Sequence, residues 1–254
     1  MDSARIAALL APFLAGARRP EPGALEQISA YLDLLLRWNA RINLTAVRDP
    51  EYIVTRHFGE SLFAATHLFP LTRTSDDAAA RTAPGPAPSF ANYKLQIANH
   101  KLLDLGSGAG FPGLPIKIWA PQVALTLIES RQRKATFLRE VIRALALTGA
   151  EVFCGRAEDY PGPPADVVTL RAVERFDDVL PIAARLLAST PYPLSKLCHS
   201  EERNQGPKTA PPLLALLIGE SQIQRARILL PAFSWSDPLP IPLSSARVLL
   251  IGHR

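Results

Sequence analysis

A glycine-rich segment that directly follows a short apolar run constrains the fold of this chain more than any other feature. The run KLLDL begins at Lys101, and the segment continues from Asp104 as DLGSGAGFPG. Glycines at 106, 108 and 110 allow a tight turn and let a ligand approach the backbone closely. A turn of this kind after a buried strand predicts a ligand site at the carboxyl end of that strand, where open α/β sheets bind their ligands.

The chain beyond this segment alternates between apolar runs and amphipathic segments. The predicted strands are 101–105, 123–129, 151–156, 166–170, 213–219 and 247–252. The predicted helices between them are 131–147 and 177–187, followed by a polar helical segment after residue 219. Strands that alternate with helices of this length predict βαβ units. We therefore expect an α/β fold with a mostly parallel, doubly wound sheet and helices on both faces.

The first 70 residues predict a helical N-terminal region. From Glu21 to Asn39, apolar residues recur every three or four positions, as on one face of an amphipathic helix. A second helix is predicted from Asp49-Pro50, an N-cap followed by proline, to about Phe69. The α/β domain is expected over residues 100–254, and two irregular stretches, 71–99 and 189–212, are interpreted as insertions or linkers.

Composition limits the class of protein and its surroundings. The 254 residues include two cysteines, which predict neither a disulfide framework nor a zinc site, and no apolar run reaches the roughly 18 residues of a membrane span. The start of the chain, with Asp2, Arg5 and Pro12, does not resemble a signal peptide. We expect a cytoplasmic monomer without membrane contact. The net charge of +5 favours a polyanionic partner.

The glycine pattern alone does not select a cofactor. Gly108-x-Gly110-x-x-Gly113 also fits the dinucleotide fingerprint. An ionised Asp104 at the mouth of the strand would repel a pyrophosphate but attract the sulfonium and ammonium groups of S-adenosylmethionine. Glu129, about 20 residues on, is placed to accept both ribose hydroxyls of either cofactor. Ala157-Glu158 follows the next strand, where an adenine edge would lie.

Several further motifs, taken together, resemble one family. The sequence carries Trp38-Asn39-x-x-x-Asn43-Leu44-Thr45, His57 with Ser61, LLDLGSGAGFPGLP, Glu129-Ser130 leading into Arg133-Lys134-x-x-Phe137-Leu138, Arg156-Ala157-Glu158, and Arg171-Ala172. The chain resembles the bacterial ribosomal RNA small subunit methyltransferase G family, also called glucose-inhibited division protein B. The glycine loop is common to class I methyltransferases, whereas the Trp-Asn and Asn-Leu-Thr elements and the Phe-Pro-Gly continuation are more specific.

The resemblance implies a class I, Rossmann-like methyltransferase fold with an N-terminal helical extension. It also implies transfer of a methyl group from S-adenosylmethionine to N7 of a guanine in 16S ribosomal RNA, in the 530 loop. The predicted cofactor-binding residues, from the resemblance and the strand-end positions together, are Asp104, Gly106, Gly108, Phe111, Glu129, Ala157, Glu158 and Arg171. Departures from the family pattern occur at Leu170 and at Ile218-Gly219, besides the two irregular stretches.

The expected chemistry needs no general base, because guanine N7 has a lone pair and no proton to lose. His57 is interpreted as structural, and Trp38 as a core residue. A-form RNA hides N7 in its deep groove, so the target is expected to be an unpaired or splayed-out guanine. The RNA-binding candidates are Asn39, Asn43, Arg131, Arg133 and Lys134, with Arg18, Arg19, Arg37 and Arg41 as further basic candidates.

Three alternatives stay open at this point. The glycine fingerprint also fits an NAD-dependent oxidoreductase, against which Asp104 counts. The departures at Leu170 and Ile218 suggest a homologue that binds the cofactor without activity. A class I methyltransferase for another RNA or a small molecule is equally compatible, because loops determine the substrate. No ligand cluster predicts a metal.

Overall fold

The computed structural model describes residues 1–17, 20–69, 100–171, 175–189 and 211–254. The stretch 71–99 and nearly all of 189–212, interpreted above as insertions, lie outside the described residues. The same holds for Arg18, Arg19 and Ala172. Among the described residues, no helix combines the length and apolar character needed to cross a membrane.

The helices of the described residues confirm the predicted N-terminal region and the alternation that follows it. They are α1 (Ser3–Leu10), α2 (Pro22–Asn39), α3 (Pro50–Ile53), α4 (Glu60–Leu68), α5 (Gly113–Trp119), α6 (Gln132–Ala144), α7 (Phe176–Arg185) and α8 (Ile223–Leu229). A π-helical segment, Val54–Gly59, joins α3 to α4, and short 3-10 turns lie at Ala11–Leu14, Ala157–Asp159 and Glu220–Gln222.

The strands form one eight-stranded sheet within the described residues. They are β1 (Lys101–Leu105), β2 (Ala124–Ile128), β3 (Ala150–Phe153), β4 (Val167–Arg171), β5 (Leu213–Gly219), β6 (Ser234–Trp235), β7 (Leu239–Pro240) and β8 (Arg247–His253). The order is β3-β2-β1-β4-β5-β8-β6, with β7 also paired to β8. The pairs from β3 to β5 are parallel, and β8 runs antiparallel to β5. The prediction of a mostly parallel sheet is therefore confirmed.

Neighbouring residues along each strand contribute to different cores, as expected for a sheet covered on both faces. In β1, Leu102 joins the larger apolar cluster and Leu103 joins the second. The larger cluster contains α5, the inner face of α6 and the N-terminal helices. The second contains α7 and Ala226 of α8. The N-terminal helices thus share a core with one face of the sheet.

The second predicted helix begins where the sequence indicates but is not uniform. Asp49 caps it by accepting a hydrogen bond from the backbone N–H of Tyr52 at 2.7 Å. The π-helical segment in the middle was not predicted. It carries Arg56 and His57, and π-bulges of this kind occur frequently at functional sites. Trp38, interpreted as a core residue, packs its ring 5.7 Å from that of Phe137.

Candidate functional site

The glycine loop after β1 is held to the neighbouring strand and leaves an open concave face. The backbone N–H groups of Gly106 and Ser107 both donate to the carbonyl of Ile128, at 2.9 and 3.1 Å. Gly106 has a φ of +67°, and a Cβ placed on it would meet no atom within 4 Å. A left-handed backbone beside empty space at the end of a parallel strand is the geometry of a cradle for a ligand.

Asp104 lies beneath this loop rather than at its mouth. Its side chain is fully buried. One carboxylate oxygen accepts from the Thr169 hydroxyl at 2.8 Å, and the other from the backbone N–H of Gly113 at 3.3 Å. Burial raises the pKa of Asp104 to about 6, against the opposing effect of these hydrogen bonds. The prediction that its charge faces a ligand does not fit this geometry, in which Asp104 supports the loop from below.

Glu129 lies at the end of β2, where the sequence predicts it, and only 6% of the residue is exposed. Its two carboxylate oxygens accept from the backbone N–H of Gly108 at 2.9 Å and of Arg131 at 2.7 Å. A carboxylate oxygen has two acceptor positions, so each can accept a second hydrogen bond. Glu129 therefore orients the glycine loop and remains able to receive hydroxyl groups.

The N-terminal helices fix the far end of the glycine loop through Tyr31 of α2. The Tyr31 hydroxyl donates to the backbone carbonyl of Ala109, and its ring stacks on Phe111 with centroids 5.4 Å apart and planes 7° apart. Gly110 has a φ of +91°, and a Cβ there would collide with the Tyr31 hydroxyl and with Leu114. Burial raises the pKa of Tyr31 well above its usual value. Tyr31 therefore stays protonated and can donate.

Arg171 at the end of β4 joins the loop to the π-helical segment. Its guanidinium donates to the carbonyl of Arg56 at 2.8 Å and to Nδ1 of His57 at 2.9 Å. It also lies over the Phe111 ring, 5.8 Å from the centroid. Burial lowers the pKa of Arg171 to about 10, which leaves it charged at neutral pH. Leu170, one of the departures from the family pattern, is buried in the second core and does not displace Arg171.

His57 is a neutral imidazole with both nitrogens occupied. Because a guanidinium can only donate, Nδ1 accepts from Arg171, and the proton resides on Nε2. Nε2 then donates to the Thr45 hydroxyl at 2.7 Å. Burial and the positive charges of nearby arginines lower the pKa of His57 to about 3. These contacts are those of a structural histidine, as the sequence analysis interprets it.

A cluster around one buried carboxylate was missed from the sequence. Glu60 is 2% exposed and lies within ion-pair distance of three guanidinium groups: Arg56 at 2.6 Å, Arg171 at 3.1 Å and Arg247 at 2.8 Å. The i,i+4 spacing of Arg56 and Glu60 on one helix was the only available signal. Arg171 and Arg247 come from distant strands, and no local pattern links them to this helix.

The remaining predicted residues fall into two groups. Asn39 is buried and uses its side-chain amide on its own loop, accepting from the N–H groups of Leu44 and Thr45 and donating to the Thr45 carbonyl. These contacts organise the turn after α2, and the RNA-binding role of Asn39 stays a prediction. The others lie in solvent-accessible positions: Asn43, Arg131, Arg133, Lys134, Ala157 and Glu158.

In the described part of the chain, no group of three or more His, Cys, Asp or Glu side chains could hold a metal ion. The site is built from glycine backbone, three buried carboxylates, a neutral histidine and a set of arginines.

Three features define a Rossmann-like protein of the class I methyltransferase fold. They are the strand order with β8 antiparallel to β5, the glycine loop after β1, and the acidic residue at the end of β2. A family profile described as rRNA small subunit methyltransferase G matches residues 24–74 and 89–202. This match covers more than half of the chain, and the chain belongs to that family.

Individual relatives extend the comparison. A ribosomal RNA small subunit methyltransferase G of Xanthomonas campestris pv. campestris is 38% identical over 158 residues, covering 62% of this chain and 61% of the relative. That of Streptococcus thermophilus is 37% identical over 156 residues, covering 59% and 55%. The matched part thus spans about three fifths of these relatives. The crystal structure of P. horikoshii TYW2 in complex with MeSAdo is similar over 62% of this chain and 58% of that one, with a TM-score of 0.44 and 16% identity.

Proposed function

We propose that this protein uses S-adenosylmethionine to methylate N7 of a guanine in 16S ribosomal RNA, in the 530 loop. The observation that carries the proposal is the open, left-handed cradle at Gly106, bordered by Glu129, in a chain of the methyltransferase G family. The names of the relatives support ribosomal RNA of the small subunit as the substrate.

The described residues fit a cofactor of this kind. The empty space above Gly106 can receive the methionine part beside Phe111, and the acceptor positions left on Glu129 suit the two ribose hydroxyls. The 3-10 turn Ala157–Asp159 follows β3, where an adenine would lie.

The chemistry asks mainly for positioning. When bound, the cofactor supplies an electrophilic methyl group on a sulfonium, and guanine N7 attacks it with a lone pair. Proximity and alignment of the reacting atoms can contribute roughly 7 to 11 kcal/mol. The rigid loop, fixed by Asp104 from below and by Tyr31 from the side, is suited to hold such an alignment. His57 is neutral and fully hydrogen-bonded, so no proton transfer is assigned to it.

The RNA is expected to approach over exposed basic residues near the end of β2. Arg131 and Arg133 are exposed and Lys134 is half-buried at the start of α6, where they can contact phosphates. Asn43 is exposed on the loop after α2. Naked RNA and the assembled subunit are both candidate substrates, and both belong in the test.

The test is transfer of labelled methyl from S-adenosylmethionine to small ribosomal subunits, and to the naked RNA, from cells that lack the modification. The expected result is label at one guanine, mapped to N7. Glu129→Ala should weaken cofactor binding and transfer together, whereas Glu26→Gln, on the exposed face of α2, should change neither. Cofactor binding without transfer to either substrate would contradict the proposed substrate and favour another RNA, a small molecule or a non-catalytic homologue.

A further inference from the structure

A cavity of about 370 Å³ opens between the π-helical segment and the loop that leads into β8. Its volume is at the low end of the range for ligand pockets, roughly 300 to 1,000 Å³. This size suits a single nucleotide rather than a duplex. The lining is formed by Phe13, Tyr52, Thr55, Arg56, Glu60 and the loop from Pro242 to Arg247.

The wall of this cavity has an excess of positive charge. Arg56 and Arg247 both line it, and both share their only described carboxylate partner, Glu60, with Arg171. Three guanidinium groups against one carboxylate leave two positive charges without a counterion among the described residues. An anionic ligand would offset this excess of positive charge.

The rim of the cavity offers apolar surface that the fold does not use. Tyr52 is 54% exposed and Leu243 is 73% exposed, which is rare among the large apolar side chains of the described residues. Leu243 also has a φ of +57°, in the left-handed region that a leucine seldom adopts. Strained backbone of this kind is found preferentially at functional sites. The Ser244 and Ser245 hydroxyls, next along the loop, can donate hydrogen bonds.

We propose that this cavity binds one nucleotide of single-stranded RNA, with the phosphate on Arg56 and Arg247 and the base on the Tyr52 ring. Aromatic side chains beside a positively charged groove are the usual elements of single-strand recognition. The inference rests on the proposed function, because it names where the RNA strand continues beyond the reacting guanine.

The position in the sheet separates this nucleotide from the target base. Arg247 pairs with Gly219 at the carboxyl end of β5, and β8 is three strands away from β1 in the sheet order. At strand spacings of 4.7 to 4.9 Å, the two positions are roughly 14 Å apart. The cavity therefore serves a nucleotide that flanks the target, on the same edge of the sheet as the glycine loop.

The test measures binding of a short, labelled, single-stranded polyadenosine RNA to the full chain. Tyr52→Ala should weaken binding about tenfold through loss of base stacking, and Tyr52→Phe should restore it. Arg56→Gln should lower the slope of log affinity against log salt by about 0.7, as expected for one phosphate contact on a single strand. Ile228→Ala and Arg227→Gln, exposed on α8 outside the cavity, are the matched controls, and thermal unfolding checks that each variant is folded.

Two outcomes would overturn the inference: wild-type affinity in folded Tyr52→Ala together with an unchanged salt slope in Arg56→Gln, or equal losses in the α8 controls. Failure of the proposed function would look different. Methyl transfer to ribosomal RNA, with no effect of Tyr52→Ala on affinity and none of Arg56→Gln on the salt slope, retains the function and rejects the cavity. Weakened RNA binding in Tyr52→Ala, with no methyl transfer by the wild type, supports the cavity and rejects the function.

Discussion

Asp104 and Glu60 are two carboxyl groups buried near the same edge of the sheet, and their surroundings are opposite. Asp104 meets neutral donors, the Thr169 hydroxyl and the Gly113 backbone, and burial raises its pKa to about 6. Glu60 is surrounded by three guanidinium groups. The first carboxyl stabilises a turn of the backbone. The second holds three guanidinium groups together beside a cavity.

The comparison shows that one buried carboxyl stabilises the local backbone, whereas the other creates a charged surface to which a ligand could bind. A buried carboxyl that accepts hydrogen bonds from backbone and hydroxyl donors orders its own loop and changes the electrostatic potential around it little. A buried carboxylate with more cations than it can neutralise leaves a positive potential beside the cavity. Variants of these two residues and of their neighbours should therefore differ in what they change: the free energy of unfolding, its pH dependence, or the affinity for the cofactor.

The largest effect is expected for Glu60→Gln. Loss of the carboxylate leaves Arg171, whose side chain is 8% exposed, buried among like charges. Breaking one partner of a buried ion pair typically costs about 3 to 5 kcal/mol. Urea unfolding should show a loss of this size. A loss below about 1 kcal/mol would mean that the arginines find solvent or other partners, and would weaken the contrast with Asp104.

The next largest effect is a pH dependence that Asp104→Asn should remove. Because the folded pKa of about 6 lies above the ordinary Asp pKa of 3.8, the stabilising contribution is full below pH 3.8 and is lost as pH rises to about 6. The wild type should therefore gain on the order of 3 kcal/mol relative to Asp104→Asn between pH 7 and pH 4. Unfolding curves of both proteins across this range test the sign. A constant difference would contradict it.

A smaller effect is expected for Tyr31→Phe. The change removes the hydrogen bond to the Ala109 carbonyl but retains the stack on Phe111, so about 1 kcal/mol of stability should be lost. Cofactor affinity should fall with it, because the far end of the glycine loop loses its tether. Calorimetric titration with S-adenosylmethionine measures this. Unchanged affinity in a destabilised variant would limit Tyr31 to the core.

The smallest effect is expected at the surface pair of Arg5 and Glu51. Two hydrogen bonds of 2.7 and 2.6 Å join these side chains, which are 51% and 46% exposed. Ion pairs at the surface typically contribute little to stability, because solvent screens the charges and two long side chains lose conformational freedom. Glu51→Gln should unfold at the same urea concentration as the wild type. A clear loss would show that close pairing matters more in this chain than burial.

The backbone of the fold was largely predictable from the sequence. The alternation of apolar and amphipathic segments predicted β1, β5 and α2 to within a residue, since those patterns are local. The glycine loop and Glu129 were predictable for the same reason. The two-residue strands β6 and β7 were not, because they are too short for any periodicity.

The side-chain orientations at the site were less predictable. Asp104 occupies the expected position on β1, but its carboxyl turns toward Thr169, 65 residues away in sequence. Asn39 is an RNA-binding candidate by sequence, and its side-chain amide completes its own turn, a contact that depends on the path of the loop after α2. Tyr31 carried the spacing of a core residue, and nothing local indicated that its hydroxyl would reach the Ala109 carbonyl, 78 residues away.

The cluster around Glu60 also has a consequence for how the chain folds. Arg171 is 111 residues from Glu60 in sequence, and Arg247 is farther still, so each contact closes a very long loop. Contacts of this separation form slowly and late. Until they form, Glu60 has only its helical neighbour Arg56, and the two distant arginines stay in water. The cavity and the Arg171 contact to the loop should therefore mature together as a final step of folding, after the helices and the parallel strands are in place.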